Sequence, residues 1–267
     1  VRSVPFRSLQ HLVVVPAVVG GIDSELIVDS GIGVTLLSSS LAEASGCELT
    51  GATYTGRRMS GQEVMVPLGR LPSAEVAGLC LEAVDVGVLD LAADGLEGIG
   101  GFLSLSPFRS RALTIDYTGD AVLVEEAESL AARPSSGCSV PLEVELDGPS
   151  LCVYLLLDLP GGETVRVEVD MGSDSLILDS SLAARVGVDL DAETVRRVDG
   201  RDETGHEYAR YFTSLEGSIN PTGAPEVSQA DPDVMFQDII HDGLLGSAFL
   251  RSFAVTFDLA NERLVFS

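Results

Sequence analysis

Residues 26–42 read LIVDSGIGVTLLSSSLA, a carboxylate set between two apolar runs. Taken alone, Asp29, Ser30 and Gly31 are turn formers, and a chain reversal explains them. Shifting the sequence against itself by 141 positions changes that reading. DSGIGVTLLSSSLAEASGCEL (29–49) then falls without a gap on DMGSDSLILDSSLAARVGVDL (170–190), with nine identities in 21 pairs. Asp29 meets Asp170, Gly31 meets Gly172 and Leu41 meets Leu182. Outside this block, VPF at Val4 matches VPL at Val140, and GFLSLSPFRSRALTID (101–116) matches GLLGSAFLRSFAVTFD (243–258). The chain is two copies of one unit.

The seam lies around EEAESLAARPSSGC (125–138), where charge, Pro, Ser and Gly replace apolar periodicity. It separates a first lobe over 1–128 from a second over 138–267, with 129–137 as linker. Within each half, VVVPAVV and ELIVD, or LCVYLLLD and TVRVEVD, are runs of branched residues bounded by turn formers, which predicts strands. SSSLAEAS and DSSLAARVG predict short helices, with Ser40 and Ser181 as N-caps. DLANERLVF predicts a hairpin with Asn261 in its turn.

Composition narrows the function. The 267 residues carry a formal charge of −25, which repels phosphate backbones and anionic membranes and argues against nucleic acid as a partner. All sixteen basic residues are Arg. An acidic surface sheds its self-repulsion as pH falls, which suits an acidic, secreted or cell-envelope setting. The longest apolar stretch, LVVVPAVVGGI, is too short to span a bilayer. Val1 is not followed by a basic and apolar leader, so a targeting peptide is expected to have been removed or never present. Cys47, Cys80, Cys138 and Cys152 lack metal-ligand spacing and are expected to be buried free thiols, with one disulfide open if the protein is exported. No metal and no cofactor is expected.

Other hydrolytic chemistries lack their parts. There is no GxSxG nucleophile turn and no HExxH, and only His11, His206 and His241 are available as bases; His241 reads as a loop residue. The acidic run DGRDETGHE (199–207) lacks EF-hand spacing and reads as a solvated hairpin, the second-half equivalent of the one over 56–64. Arg57-Arg58 and Arg196-Arg197 read as neutralisers of nearby carboxylates. What duplication does offer is a pseudo-twofold axis, on which loops carrying Asp29 and Asp170 would meet. Two carboxyls in hydrogen-bond reach cannot both ionise cheaply, so one holds a proton while the other stays charged. Such a pair can activate a water and protonate a carbonyl oxygen at once.

With Asp29-Ser30-Gly31 in one half, Asp170-Met171-Gly172-Ser173 in the other and Leu244-Leu245-Gly246 near the C-terminus, the chain resembles the pepsin-like and retropepsin-like aspartic proteases. The resemblance implies an all-β fold of two homologous β-rich lobes with an active-site cleft between them. It implies a monomeric endopeptidase acting on an extended peptide or protein, with Asp29 and Asp170 catalytic. Ser30, Gly31, Gly172 and Ser173 would support the active-site loops, Ser30 by gripping the opposite loop and Ser173 by bonding Asp170. A flap is expected over Gly56–Val64, its tip at Met59, Ser60 and Gly61, with Tyr54 lying before it. Three departures weaken the catalytic expectation more than the fold. Met171 replaces the second grip hydroxyl, Ile32 replaces a small or hydroxyl residue after Gly31, and Ser104 replaces the supporting Gly in Phe102-Leu103-Ser104. The second reading is therefore a catalytically weak peptide-binding module.

Overall fold

The computed structural model describes residues 2–91, 96–201 and 205–267. Its strands fall into three sheets. Eight strands between Arg7 and Leu103 form the first lobe's sheet, which curls into a barrel because Leu12–Val19 pairs with both Ile22–Val28 and Glu63–Val76. Ten strands between Glu143 and Leu245 form the second lobe's sheet.

A six-stranded sheet joins the lobes, in the order Arg2–Pro5, Ala121–Val124, Ala112–Asp116, Ala254–Asp258, Arg263–Phe266, Cys138–Pro141. This order is symmetric about its centre. There Thr114 pairs with Thr256, and their hydroxyls are 2.7 Å apart. The pseudo-twofold axis expected from the repeat passes between these two threonines. The matching VPF and VPL segments are the two outer strands of this sheet, each hydrogen-bonded to its own lobe's last strand.

The local predictions largely hold. The four branched runs are the strands Leu12–Val19, Ile22–Val28, Ser150–Leu159 and Glu163–Val169. The C-terminal hairpin turns through Leu259–Asn261. The short helices are Ser39–Ala44 and a 3₁₀ segment, Ser180–Val186, but they start earlier than read. Their caps are Ser38, which accepts from Leu41 N–H at 3.2 Å, and Asp179, which accepts from Ser181 N–H at 3.0 Å. These two are again repeat mates, so the cap is the first of the three polar residues rather than the last. The seam is helical over Ala127–Ser136, because Ala, Leu, Glu and Arg there are strong helix formers. None of the four cysteines is bonded to another. Cys80 is exposed and the other three half-buried, so the expectation of free thiols holds and that of full burial does not. Among the described residues, no helix is long and apolar enough to cross a membrane.

Candidate active site

Each lobe places its Asp by the same device. The strand Ile22–Val28 runs parallel to Ile99–Leu103, and Asp29 N–H donates to Leu103 O at 3.0 Å. In the second lobe, Glu163–Val169 runs parallel to Gly243–Leu245, and Asp170 N–H donates to Leu245 O at 3.1 Å. Past each Asp the loop turns on its own carboxylate: Gly31 N–H donates to Asp29 Oδ1 and Gly172 N–H to Asp170 Oδ1, both at 2.9 Å.

The two loops meet on the axis. There Asp29 and Asp170 face each other, each against the opposite loop's glycine, and the charge of Asp170 acts on the Asp29 carboxyl. A methyl at Gly172 would come within 2.6 Å of Asp29 Oδ2, and one at Gly31 would collide with Asp170 Oδ1, so only glycine permits this approach. Ser173 Oγ donates to Asp170 Oδ2 at 2.5 Å. Ile32 has no hydroxyl to offer Asp29, so the pair is asymmetric. Burial, and after it the charge of Asp170, drives the Asp29 carboxyl well above the ordinary carboxylate range.

Ser30 ties the loops together. Its hydroxyl is fully buried, donates to Val169 O at 2.6 Å and accepts from Met171 N–H at 3.0 Å. The reciprocal hydroxyl is missing, as the sequence indicates, since Met171 points into the core. A second tie from the first lobe to the same loop comes from a histidine whose role the sequence does not show. His11, from the hairpin before Leu12–Val19, places Nε2 at 2.9 Å from Gly172 O; a carbonyl can only accept, so Nε2 carries the proton. Ser104 also finds partners: its Oγ lies 3.1 Å from Thr35 Oγ1 and 2.9 Å from Ser106 Oγ, while Thr35 Oγ1 accepts from Ser104 N–H at 3.2 Å. At the equivalent Gly246 a methyl would strike the Ser173 and Ser175 carbonyls. The substitution is thus local to a lobe that has hydroxyls to receive it.

Ser30→Ala would leave two buried backbone groups without partners. The expected cost is about 2–4 kcal/mol of stability, read from urea unfolding midpoints, with Ser30→Thr losing much less.

A cleft of about 1030 Å³ opens where the two loops meet, lined there by Gly31, Ile32 and Asp170. Strands Glu48–Arg57 and Glu63–Val76 form a hairpin whose turn holds Met59, Ser60 and Gly61. Met59 and Ser60 face the cleft, as does Tyr54 further down the strand. Gly61 takes φ +82°, with Ile240 packed against it. The hairpin reaches across to the second lobe: Ile240 N–H donates to Met59 O at 2.8 Å, and Met59 packs with Ile177, Met235 and Leu244. The second-lobe hairpin, Arg196–Arg201 with Glu207–Ser214, is not merely solvated. His206, Tyr208 and Arg210 line the cleft from it, while residues 202–204 of its acidic run lie outside the described residues. Arg57 pairs with Glu63 at 3.4 Å and Arg197 with Asp199 at 2.8 Å, the neutralising role expected of them.

Two more cleft residues escaped sequence reading. Glu168 is buried with its carboxyl pushed up to about 8, by burial first and then by the charge of Asp170. His241, read as a loop residue, lies with Nε2 3.5 Å from Glu168 Oε2, and burial lowers its pKa. A signal for Glu168 was present: it precedes Asp170 by two positions, on the same strand face, where its repeat mate is Ile27.

Asp29 and Glu168 make stability fall with rising pH. Both prefer the neutral form in the folded state, so their stabilisation is complete below about pH 4, where the unfolded carboxyls also hold their protons. It is lost as pH climbs through the raised folded values, near 8 for Glu168. Thermal midpoints at pH 4, 6 and 8 are expected to fall more steeply for the wild type than for Asp29→Asn/Glu168→Gln. Parallel curves would sink this expectation.

Residues 15–106 match the sequence profile of a family described as aspartyl protease. No curated protein matches the chain in sequence. Among solved structures, the aspartic proteinase from Irpex lacteus is similar over 99% of this chain and 96% of its own, at 16% identity and a TM-score of 0.60. A protein named edgp is similar over 99% of this chain and 94% of its own, at 11% identity and a TM-score of 0.57. At these identities the likeness to the solved structures is one of fold. With residues 15–106 matching that family's profile and the likeness to the solved structures running along its whole length, the chain has the pepsin-like aspartic protease fold, with two barrel-like lobes.

Proposed function

We propose that the protein is an aspartic endopeptidase that hydrolyses peptide bonds with a water activated between Asp29 and Asp170. The family segment and the fold support protease activity in general. The observation that carries the finer reading is the close approach of two carboxyls, Asp29 buried and Asp170 half-buried and lining the cleft, on loops cross-linked by Ser30.

In this reaction the ionised carboxylate takes a proton from water as the oxygen attacks the scissile carbonyl carbon. The protonated carboxyl gives its proton to the carbonyl oxygen, producing a neutral tetrahedral diol. Collapse returns a proton to one carboxyl and delivers the other to the departing amine, so neither metal nor covalent intermediate is required. Asp29 is the member that holds the proton at rest, in accord with its raised pKa. Asp170 accepts from Ser173 and Gly172 on the other side of the pair. The hairpin tip lifts from Ile240 to admit an extended peptide and then covers it, excluding water from the developing charge.

The test is cleavage of an unfolded-peptide library between pH 3 and 8, with and without a statine inhibitor. Turnover blocked by statine is the expected result. Peptide binding without turnover at any pH would replace this reading with the peptide-binding module.

A further inference from the structure

Duplication makes each lobe a control for the other. In the first lobe Ile27, two residues before Asp29, is sealed with Val14 and Ile99 in a small apolar cluster that Leu9, Leu12 and Phe102 complete. The second lobe keeps the backbone and changes the chemistry. Glu168 is the repeat mate of Ile27 and pairs across the sheet with Tyr154, as Ile27 pairs with Val14. His241 falls 142 residues after Ile99, the offset that also relates Leu103 to Leu245. A sealed apolar cluster has become a polar recess. Cys152, Tyr154, Glu168 and His241 line the cleft on the same side as Asp170.

Glu168 is only 6% exposed, yet among the described residues no guanidinium pairs with it. Arg166, which acts on it from a distance, is held by Glu143 at 2.8 Å and Glu145 at 2.6 Å and lies 3.5 Å over the Tyr154 ring. The other groups that face Glu168 are the Cys152 thiol, the His241 ring, and the carboxyls of Asp170 and Asp29. His241 supplies no fixed charge, since burial and then Arg166 hold its pKa below the ordinary histidine value. Glu145 and Asp147 add acid to the same wall. A carboxyl buried beside other carboxyls without a cation is unfavourable, and a chain that has kept the apolar solution in its first lobe has abandoned it here.

We propose that Glu168 is a specificity-determining residue: the acidic floor of a subsite, beside the dyad on the second-lobe wall, for a cationic side chain of the peptide substrate, lysine or arginine. The proposal rests on the peptidase reading above. A bound ammonium or guanidinium supplies the missing counter-charge, and a carboxyl poised between its two forms ionises to meet it. An apolar side chain of the same length leaves the acid unpaired. The charge of −25 draws cationic peptides towards the cleft and repels acidic ones.

The test uses peptides that differ only in Lys, Arg, norleucine or Glu at each position flanking the scissile bond. At one position wild-type kcat/KM for Lys or Arg is expected to exceed that for norleucine by roughly ten- to a hundredfold. In Glu168→Gln, and in Glu168→Ile, which copies the first lobe, that ratio falls to near one; circular dichroism reports whether each variant is folded. The same ratio is read without catalysis from the affinity of statine peptides carrying Lys or norleucine. If the wild type cleaves nothing, the peptidase reading fails while the statine ratio still decides the subsite. Cleavage without a cation preference, or a preference that survives Glu168→Gln, overturns the subsite and leaves the peptidase reading standing. Equal statine affinities for Lys and norleucine, or no binding of either, overturn the subsite as well.

Discussion

Replacing Asp29 or Asp170 by Asn is expected to lower peptide hydrolysis by about 10³-fold or more, with the fold retained. The size of the effect follows from the division of labour. Neither carboxyl can perform both proton transfers, and an amide can neither take the proton from water nor return it to the leaving amine. Because the two act as one unit, the double variant should be no worse than either single one, the non-additivity expected of groups sharing one step. Asn is nearly isosteric with Asp and can still accept from Gly31 or Gly172, so circular dichroism and the cooperativity of unfolding should not change. Single-turnover rates on one cleavable peptide check this. Retention of a tenth of the rate by folded Asp29→Asn would remove the dyad from the mechanism.

Adding one methyl group at Gly31 or Gly172 is expected to be almost as damaging, by a different route. At Gly172 the new carbon would lie 2.6 Å from Asp29 Oδ2 and 2.9 Å from its Cγ, and at Gly31 it would overlap the Asp170 carboxyl. Relief requires the loops to move apart. Ser30 opposes that, because its hydroxyl is fixed at both ends to the opposite loop. Overpacking of this kind costs about 1–3 kcal/mol in stability. The larger loss is in rate, roughly 10²-fold or more, since displacement of about an ångström separates the two carboxyls that must act on one water. The pairing of effects is diagnostic. Gly31→Ala should lose far more activity than stability, and the rise of the Asp29 pKa due to Asp170 should shrink with separation. A pH–rate profile of any residual activity, with its limbs closer together than in the wild type, would show the decoupling.

Much of this site was legible in the chain. The repeat pairs Asp29 with Asp170 because a duplicated fold needs the same strand ends and glycine turns in both copies, and turn residues leave a trace that survives when the strands around them diverge. Ser30 was legible for the same reason. His11 and His241 were not, since each acts through a neighbour distant in sequence, His11 on Gly172 and His241 on Glu168, and Glu168 left only the faint trace of its spacing from Asp170. A lone histidine in a hairpin and a lone glutamate in a strand look like surface residues until the sheet register is known. The second hairpin, read as solvated from its charge, turned out to face the cleft because alternation along a strand sends every other side chain inward whatever the average polarity.

The sequence by itself therefore determined the architecture: two β-rich copies, an axis between them, and one Asp-x-Gly loop per copy held by an apolar strand. Those are properties of local pattern and of repetition, and both are written along the chain. Tertiary structure alone decided how the copies differ at the cleft. It put His11 on the loop where Met171 left no hydroxyl, gave Ser104 its hydroxyl partners, and opened to the cleft a recess whose first-lobe counterpart is sealed with Ile27. Such differences depend on which side chains from separate strands share a face and exclude water together, and that is set only when the sheets have closed.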